Sequence, residues 1–244
     1  MMQTTNFPEI ADIETSSEDY ARRFAGHIGA WFLEVQAEAT LAMLKPYPRA
    51  TILDVGGGHG QLTPSLISNG YNVTVLGSAV SCQKRIEDLV ARNLCTFKVG
   101  NILNLPYPDK AFDVVISYRL LPHVQQWKPY LSELARLARL AIILDYPEIQ
   151  SINYIAPYLF KYKKQLEGNT RPFTCFKKAD LLQEFQALGF VEEQIYPEFF
   201  VPMVIHRKLK SVNISSALEN VSRSLGLTYR FGSPVILKVI RQKG

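Results

Sequence analysis

Short apolar runs alternate with helix-period stripes along most of this chain, and the alternation predicts its elements. Runs at 52–55, 72–76, 95–99, 111–117, 141–144, 191–196 and 233–240 have the length of strands. Between them, apolar positions recur every three or four residues at 61–67, 81–93, 127–138 and 177–188, the spacing of helices that lay one face on a sheet. Strand and helix in turn indicate an α/β fold. Ahead of the first strand, Tyr20, Phe24, Ile28, Trp31, Phe32 and Val35 form a stripe that predicts one helix from 15 to about 44. A capping box at Thr15-Ser16-Ser17-Glu18 opens it and Lys45-Pro46 ends it. Residues 1–14 are polar and read as a loose arm, and a further helix capped by Asn213 is expected at 213–225.

The first strand leads into the densest chemistry. It ends Asp54-Val55, and glycines follow at Gly56, Gly57, Gly58 and Gly60. Glycine lets the backbone turn sharply and approach a ligand closely. A strand, a glycine turn and a helix form the ligand-binding corner of a doubly wound sheet, where ligands sit outside the carboxyl ends of the strands. The spacing is Gly-x-Gly-x-Gly, and not the Gly-x-Gly-x-x-Gly of dinucleotide sites.

Asp54-x-Gly56-x-Gly58-x-Gly60 resembles the first motif of the class I S-adenosylmethionine-dependent methyltransferases, of the small-molecule, type 11-like kind. Downstream segments extend the resemblance over about residues 50–240. Gly100-Asn101-Ile102-Leu103 followed by Leu105-Pro106-Tyr107-Pro108-Asp109 resembles the family's G-D-A-x-x-L-P-F-P-D, and Phe112-Asp113-Val114-Val115 its fourth strand. The resemblance implies a Rossmann-like, seven-stranded, mostly parallel sheet with an antiparallel last strand and a helical cap. It implies S-adenosylmethionine as cofactor, with Asp54, Gly56, Gly57, Gly58 and Gly60 around its methionine part. Gly77 and Ser78 would meet the ribose, Asn101 and Ile102 the adenine, and Ser117 the strand edge. Two places depart from the pattern. Gly77 stands where the family carries an acid that accepts the ribose hydroxyls, and Asn101 stands for the acid that holds the adenine amino group. Losing the charge-assisted bonds at Gly77 costs about 1.5–3 kcal/mol, whereas the Asn101 side-chain carbonyl can still accept its bond without the charge.

His123 and Asp145 are the expected catalytic residues, His123 as a base at the edge that faces the transferred methyl, Asp145 as a group that orients substrate or base. The competing readings are a capping or surface histidine and a strand-tip acid that caps a helix or pairs with a lysine. The expected organisation is one domain over 1–244, with an arm or lid at 1–45, a cofactor half at 46–147, a lid insertion at 148–176 and a C-terminal half at 177–244. Tyr154, Tyr158, Phe160, Tyr162 and Phe173, interleaved with Lys161, Lys163 and Lys164, suit a partly hydrophobic or aromatic acceptor.

Composition narrows the partners. Net charge is +5, but the basic residues are scattered, without a long run or an aromatic-basic pattern, so no nucleic-acid partner is expected. No apolar run approaches the roughly 18 residues of a membrane span. Cys82, Cys95 and Cys175 have no metal-ligand spacing, so no metal is expected. Reduced cysteines and a start without a signal-peptide pattern predict a cytoplasmic protein. Methyl transfer to a small molecule is the leading function. The alternatives are a methyltransferase-like binding protein without catalysis and a dinucleotide-dependent oxidoreductase.

Overall fold

The computed structural model describes residues 7–151 and 173–242. The seven strands are β1 (Thr51–Val55), β2 (Asn72–Gly77), β3 (Thr96–Val99), β4 (Phe112–Ser117), β5 (Ala138–Tyr146), β6 (Phe190–Pro197) and β7 (Val235–Arg241). They form one sheet in the order β3-β2-β1-β4-β5-β7-β6. The first five run parallel, and β7 lies antiparallel between β5 and β6. The expected doubly wound sheet with an antiparallel last strand is therefore present.

Side-chain alternation explains why both faces are covered. Leu53 and Val55 of β1 and Val115 of β4 enter one apolar cluster, with Tyr130, Leu131 and Leu134 from the helix Trp127–Leu137 and Leu181 and Phe185 from Lys178–Ala187. Ile52, Val114 and Ile116 enter the opposite cluster, with Ala39, Met43 and Leu44 from Gly26–Leu44 and Leu66 from Thr63–Ser68. Successive residues of a strand point to opposite faces, so near-continuous apolar runs bury both.

In chain order the described helices are α1 (Ala11–Thr15), α2 (Glu18–Arg22), α3 (Gly26–Leu44), α4 (Thr63–Ser68), α5 (Glu87–Ala91), α6 (Trp127–Leu137), α7 (Lys178–Ala187), α8 (Met203–Leu209), α9 (Val212–Ser224) and α10 (Leu227–Phe231). The single helix expected from 15 to 44 is divided between α2 and α3, with Thr15 ending α1. Ser17, rather than Thr15, caps α2 by accepting from Tyr20 N at 3.2 Å. Ala25 is extended and Gly26 takes φ +74°, which ends the run before α3. Residues 10–14 are not a loose arm: Ala11 and Asp12 are buried in α1. Ser211, two residues before Asn213, caps α9. The helix expected at 81–93 is a 3-10 segment, Val80–Ile86, running into α5. The aromatics expected to form a lid, Tyr154, Tyr158, Phe160 and Tyr162, lie outside the described residues. Among the described residues no helix is long and apolar enough to cross a membrane.

Candidate functional site

β1 delivers its glycines to the carboxyl edge of the sheet. Gly56 leaves the strand at φ +79°, Gly57–His59 form a 3-10 turn, and Gly60 leaves it at φ +67°. Only glycine adopts such left-handed angles without strain. Close approach matters equally: a Cβ on Gly57 would land on the Asp54 carboxylate, and one on Gly58 would lie 2.6 Å from Ser16 Oγ. Asp54 itself is fully buried, and neither carboxylate oxygen has a partner. Burial pushes its pKa up to about 7. A buried ionised carboxylate needs a compensating donor, and a cationic amine over the loop would fit that need. His59 accepts from Gln61 N at 3.2 Å through Nδ1. Burial first, then the charges of Arg119 and Arg85, push its pKa down to about 3, so it is neutral.

The tip of β2 carries Gly77 and Ser78, and a carboxylate does lie there. It comes from α1: Asp12 Oδ2 accepts from Ser78 N at 2.6 Å, Asp12 Oδ1 accepts from Ser78 Oγ, and Cys82 Sγ lies 3.5 Å from Oδ2. Asp12 and Ser78 are both fully buried. Beyond β3, Asn101 Oδ1 accepts from Leu103 N at 3.0 Å and so shapes its own turn. Ile102 is buried in the core against the sheet, and Ser117 Oγ pairs with Tyr130 OH at 2.6 Å.

The edges of β4 and β5 build a second polar centre. Arg119, at φ +61°, donates its backbone N–H to Asp145 Oδ1 at 2.5 Å. Its guanidinium lies 3.7 Å from the Phe24 ring centroid and donates to Gln36 Oε1 at 3.1 Å. Gln36 Nε2 in turn donates to Glu198 Oε1 at 3.3 Å. Burial raises Asp145 to about 6, against the lowering pull of Arg119. Burial, then the Asp145 charge, raises Glu198 to about 8. Burial also raises Tyr20, on which the Arg119 charge acts. His123 ends the 3-10 turn Leu121–His123, with its ring 5.7 Å from that of Phe173.

The structure thus gathers Asp54, the glycine loop and Ser78 around α1, and Asp145 with Arg119, Gln36 and Glu198. Asp12, Arg119, Gln36 and Glu198 were missed from sequence. Arg119 and Glu198 follow the ends of β4 and β6, and position at the carboxyl edge could have found them. Gln36 is a lone amide on an apolar helix. Asp12 lies in a polar stretch with no periodic signal. Among the described residues no cluster of three or more His, Cys, Asp or Glu could hold a metal.

Residues 53–140 match a family model described as a methyltransferase domain. An uncharacterised methyltransferase of Schizosaccharomyces pombe is 30% identical over 48% of this chain and 48% of its own length. The ajmaline N-methyltransferase of Rauvolfia serpentina is 33% identical over 36% of this chain and 32% of its own. The 2-methyl-6-phytyl-1,4-hydroquinone methyltransferase of Synechocystis is 33% identical over 38% and 30%. The chain therefore spans about half or less of the length of these curated relatives. Among solved structures, the magnesium protoporphyrin IX methyltransferase of Synechocystis with bound SAH superposes at a TM-score of 0.63 and 20% identity, covering 93% of this chain and 96% of that one.

Proposed function

We propose that the chain is a class I S-adenosylmethionine-dependent methyltransferase, through its methyltransferase-domain match at 53–140, and that it methylates a small, partly hydrophobic or aromatic acceptor. S-adenosylmethionine is the family's cofactor. The observation that carries the reading is Asp54, a fully buried carboxylate with two unpartnered oxygens beside glycines 56–58, where an added Cβ would clash. That arrangement fits the cationic amine and thin methionine chain of the cofactor. Gly56, Gly57, Gly58 and Gly60 would lie beneath it, Ser78 near the ribose, Asn101 and Ile102 near the adenine, and Ser117 at the edge.

When bound, the cofactor supplies a methyl group on a sulfonium, ready for direct displacement. This chain's residues hold the acceptor in line with that methyl, exclude water and move one proton. Alignment of the reacting atoms is the main contribution such an enzyme makes. Arg119 and Asp145 orient the acceptor from the β4 and β5 edges, and His123 takes its proton. Tyr20 and Phe24, gathered at Arg119, suit a ring-bearing acceptor. Relatives that act on ajmaline and on a phytyl hydroquinone support the same class.

The test is transfer of labelled methyl from S-adenosylmethionine to a panel of phenols, hydroquinones and heterocyclic amines, with Gly58→Val as control. The control should lose cofactor binding, because a larger side chain meets Ser16 and Cys82. Full binding by Gly58→Val would defeat the loop assignment. A second reading, ligand binding without catalysis, draws support from neutral Gly77 and Asn101 in places of acids. It predicts cofactor binding with no transfer across the panel.

A further inference from the structure

The family's acid is missing from the tip of β2, and packing accounts for its loss. A Cβ on Gly77 would lie 2.6 Å from Cys82 Cβ and 3.2 Å from both Cys82 Sγ and the Phe97 ring. A side chain of any kind at position 77 would have to displace Cys82. The tip nevertheless has its carboxylate, held by the main-chain N–H and the hydroxyl of Ser78, but on Asp12. Neighbouring residues fix that placement. Ala11 packs in the same cluster as Leu53, Val55 and Leu76 at the ends of β1 and β2. Ser16 lies against Gly58 in the glycine loop. The segment from Ala11 to Ser16 therefore runs from the glycine loop to the β2 tip.

We propose that Asp12 is the ribose-binding carboxylate of this protein, carried by the N-terminal arm in place of an acid at position 77. The proposal rests on the methyltransferase reading. An ionised carboxylate offers about four acceptor sites. With the arm in this position, Ser78 N–H, the Ser78 hydroxyl and the Cys82 thiol approach it. The backbone N–H is a fixed anchor that keeps the carboxylate at the tip. The hydroxyl and thiol are rotatable, and two vicinal ribose hydroxyls present the same kind of donor. Because α1 also covers the loop, the arm opens to admit the cofactor and its binding group closes over the ribose.

The test is calorimetric titration of wild type, Asp12→Asn and Asp12→Ala with S-adenosylhomocysteine and with its 2′-deoxyribose counterpart. Wild type should prefer the ligand with both hydroxyls by about tenfold. Asp12→Ala should lose about 10- to 150-fold in affinity for S-adenosylhomocysteine and bind the two ligands equally. Asp12→Asn, of the same shape, should keep its melting temperature and lose less. Three results overturn the proposal. Tighter binding by Asp12→Ala would make the arm a plug that competes with the cofactor. An unchanged preference for the second hydroxyl in that variant would make Asp12 structural. Wild-type protein that binds neither ligand would bring down the methyltransferase reading first and this proposal with it.

Discussion

Asp54 is held where water does not reach it, and its proton becomes a reporter of the site. Near neutral pH the buried carboxyl is about half protonated, since its pKa is about 7. A cationic amine over the loop requires the ionised form. Affinity for S-adenosylhomocysteine should therefore rise from pH 6 to 7.5, and Asp54→Asn should bind weakly at every pH. Calorimetry in buffers of different ionisation enthalpy would show proton release in wild type alone. Glu198 acts on stability. Its folded pKa of about 8 exceeds the unfolded value, so its contribution is complete at low pH and is lost as pH rises through 8. Asp54 acts in the same direction. His59, depressed to about 3, acts oppositely, but its contribution is complete above its unfolded pKa of about 6.5. The clean window is therefore pH 6.5–8. There the melting temperature should fall, by the equivalent of about 2 kcal/mol, and Glu198→Gln should abolish most of the fall. A flat wild-type profile would mean that Glu198 ionises freely.

At the scale of elements, the strands were legible and the arm was not. Runs such as Val73–Leu76 and Val114–Ile116 are apolar because both faces of a central parallel strand are covered, and that signal is local. Their ends were less legible: β5 extends to Ala138 and Tyr146 because β4 and β7 pair with it along most of its length. Burial of Asp12 depends instead on Ser78, a contact across more than sixty residues of sequence. No window around Asp12 contains that information, and a polar segment reads as loose until its partner is known. Of the stripe Tyr20–Val35, Ile28, Trp31, Phe32 and Val35 fall on α3, where Ile28 and Phe32 are buried. Phe32 and Phe199 lie 5.0 Å apart there, with His206 beside both, in a cluster that Phe24 joins to Arg119. Phe199→Ala should cost about 3–5 kcal/mol in chemical denaturation while leaving cofactor affinity in the residual folded protein unchanged. A loss of affinity would show that α3 and α8 support the cleft as well as the core.

Over the whole molecule, the glycine loop marked the carboxyl edge of the sheet in the sequence because close backbone approach leaves a mark in composition. The polar centre of Arg119, Gln36, Asp145 and Glu198 left none, since its members come from four separate places and meet only when the sheet assembles. The outer strand β6 is protected by charge, with Glu192 and Glu193 exposed along it. β5 has no such guard. Its residues Ala141–Leu144 are buried and apolar, and one side of its ladder is filled by β7 alone, from Ala141↔Ile240 to Tyr146↔Val235. During translation β5 leaves the ribosome well before β7. At about 5–20 residues per second, its open edge waits several seconds for a partner. A released chain ending at Gly232 should therefore sediment with aggregates or bind holdase chaperones, whereas one that includes β7 through Arg241 should fold free of them. A strand made after β6 but inserted between β5 and β6 thus leaves the older edge of β5 open to quality control until it arrives.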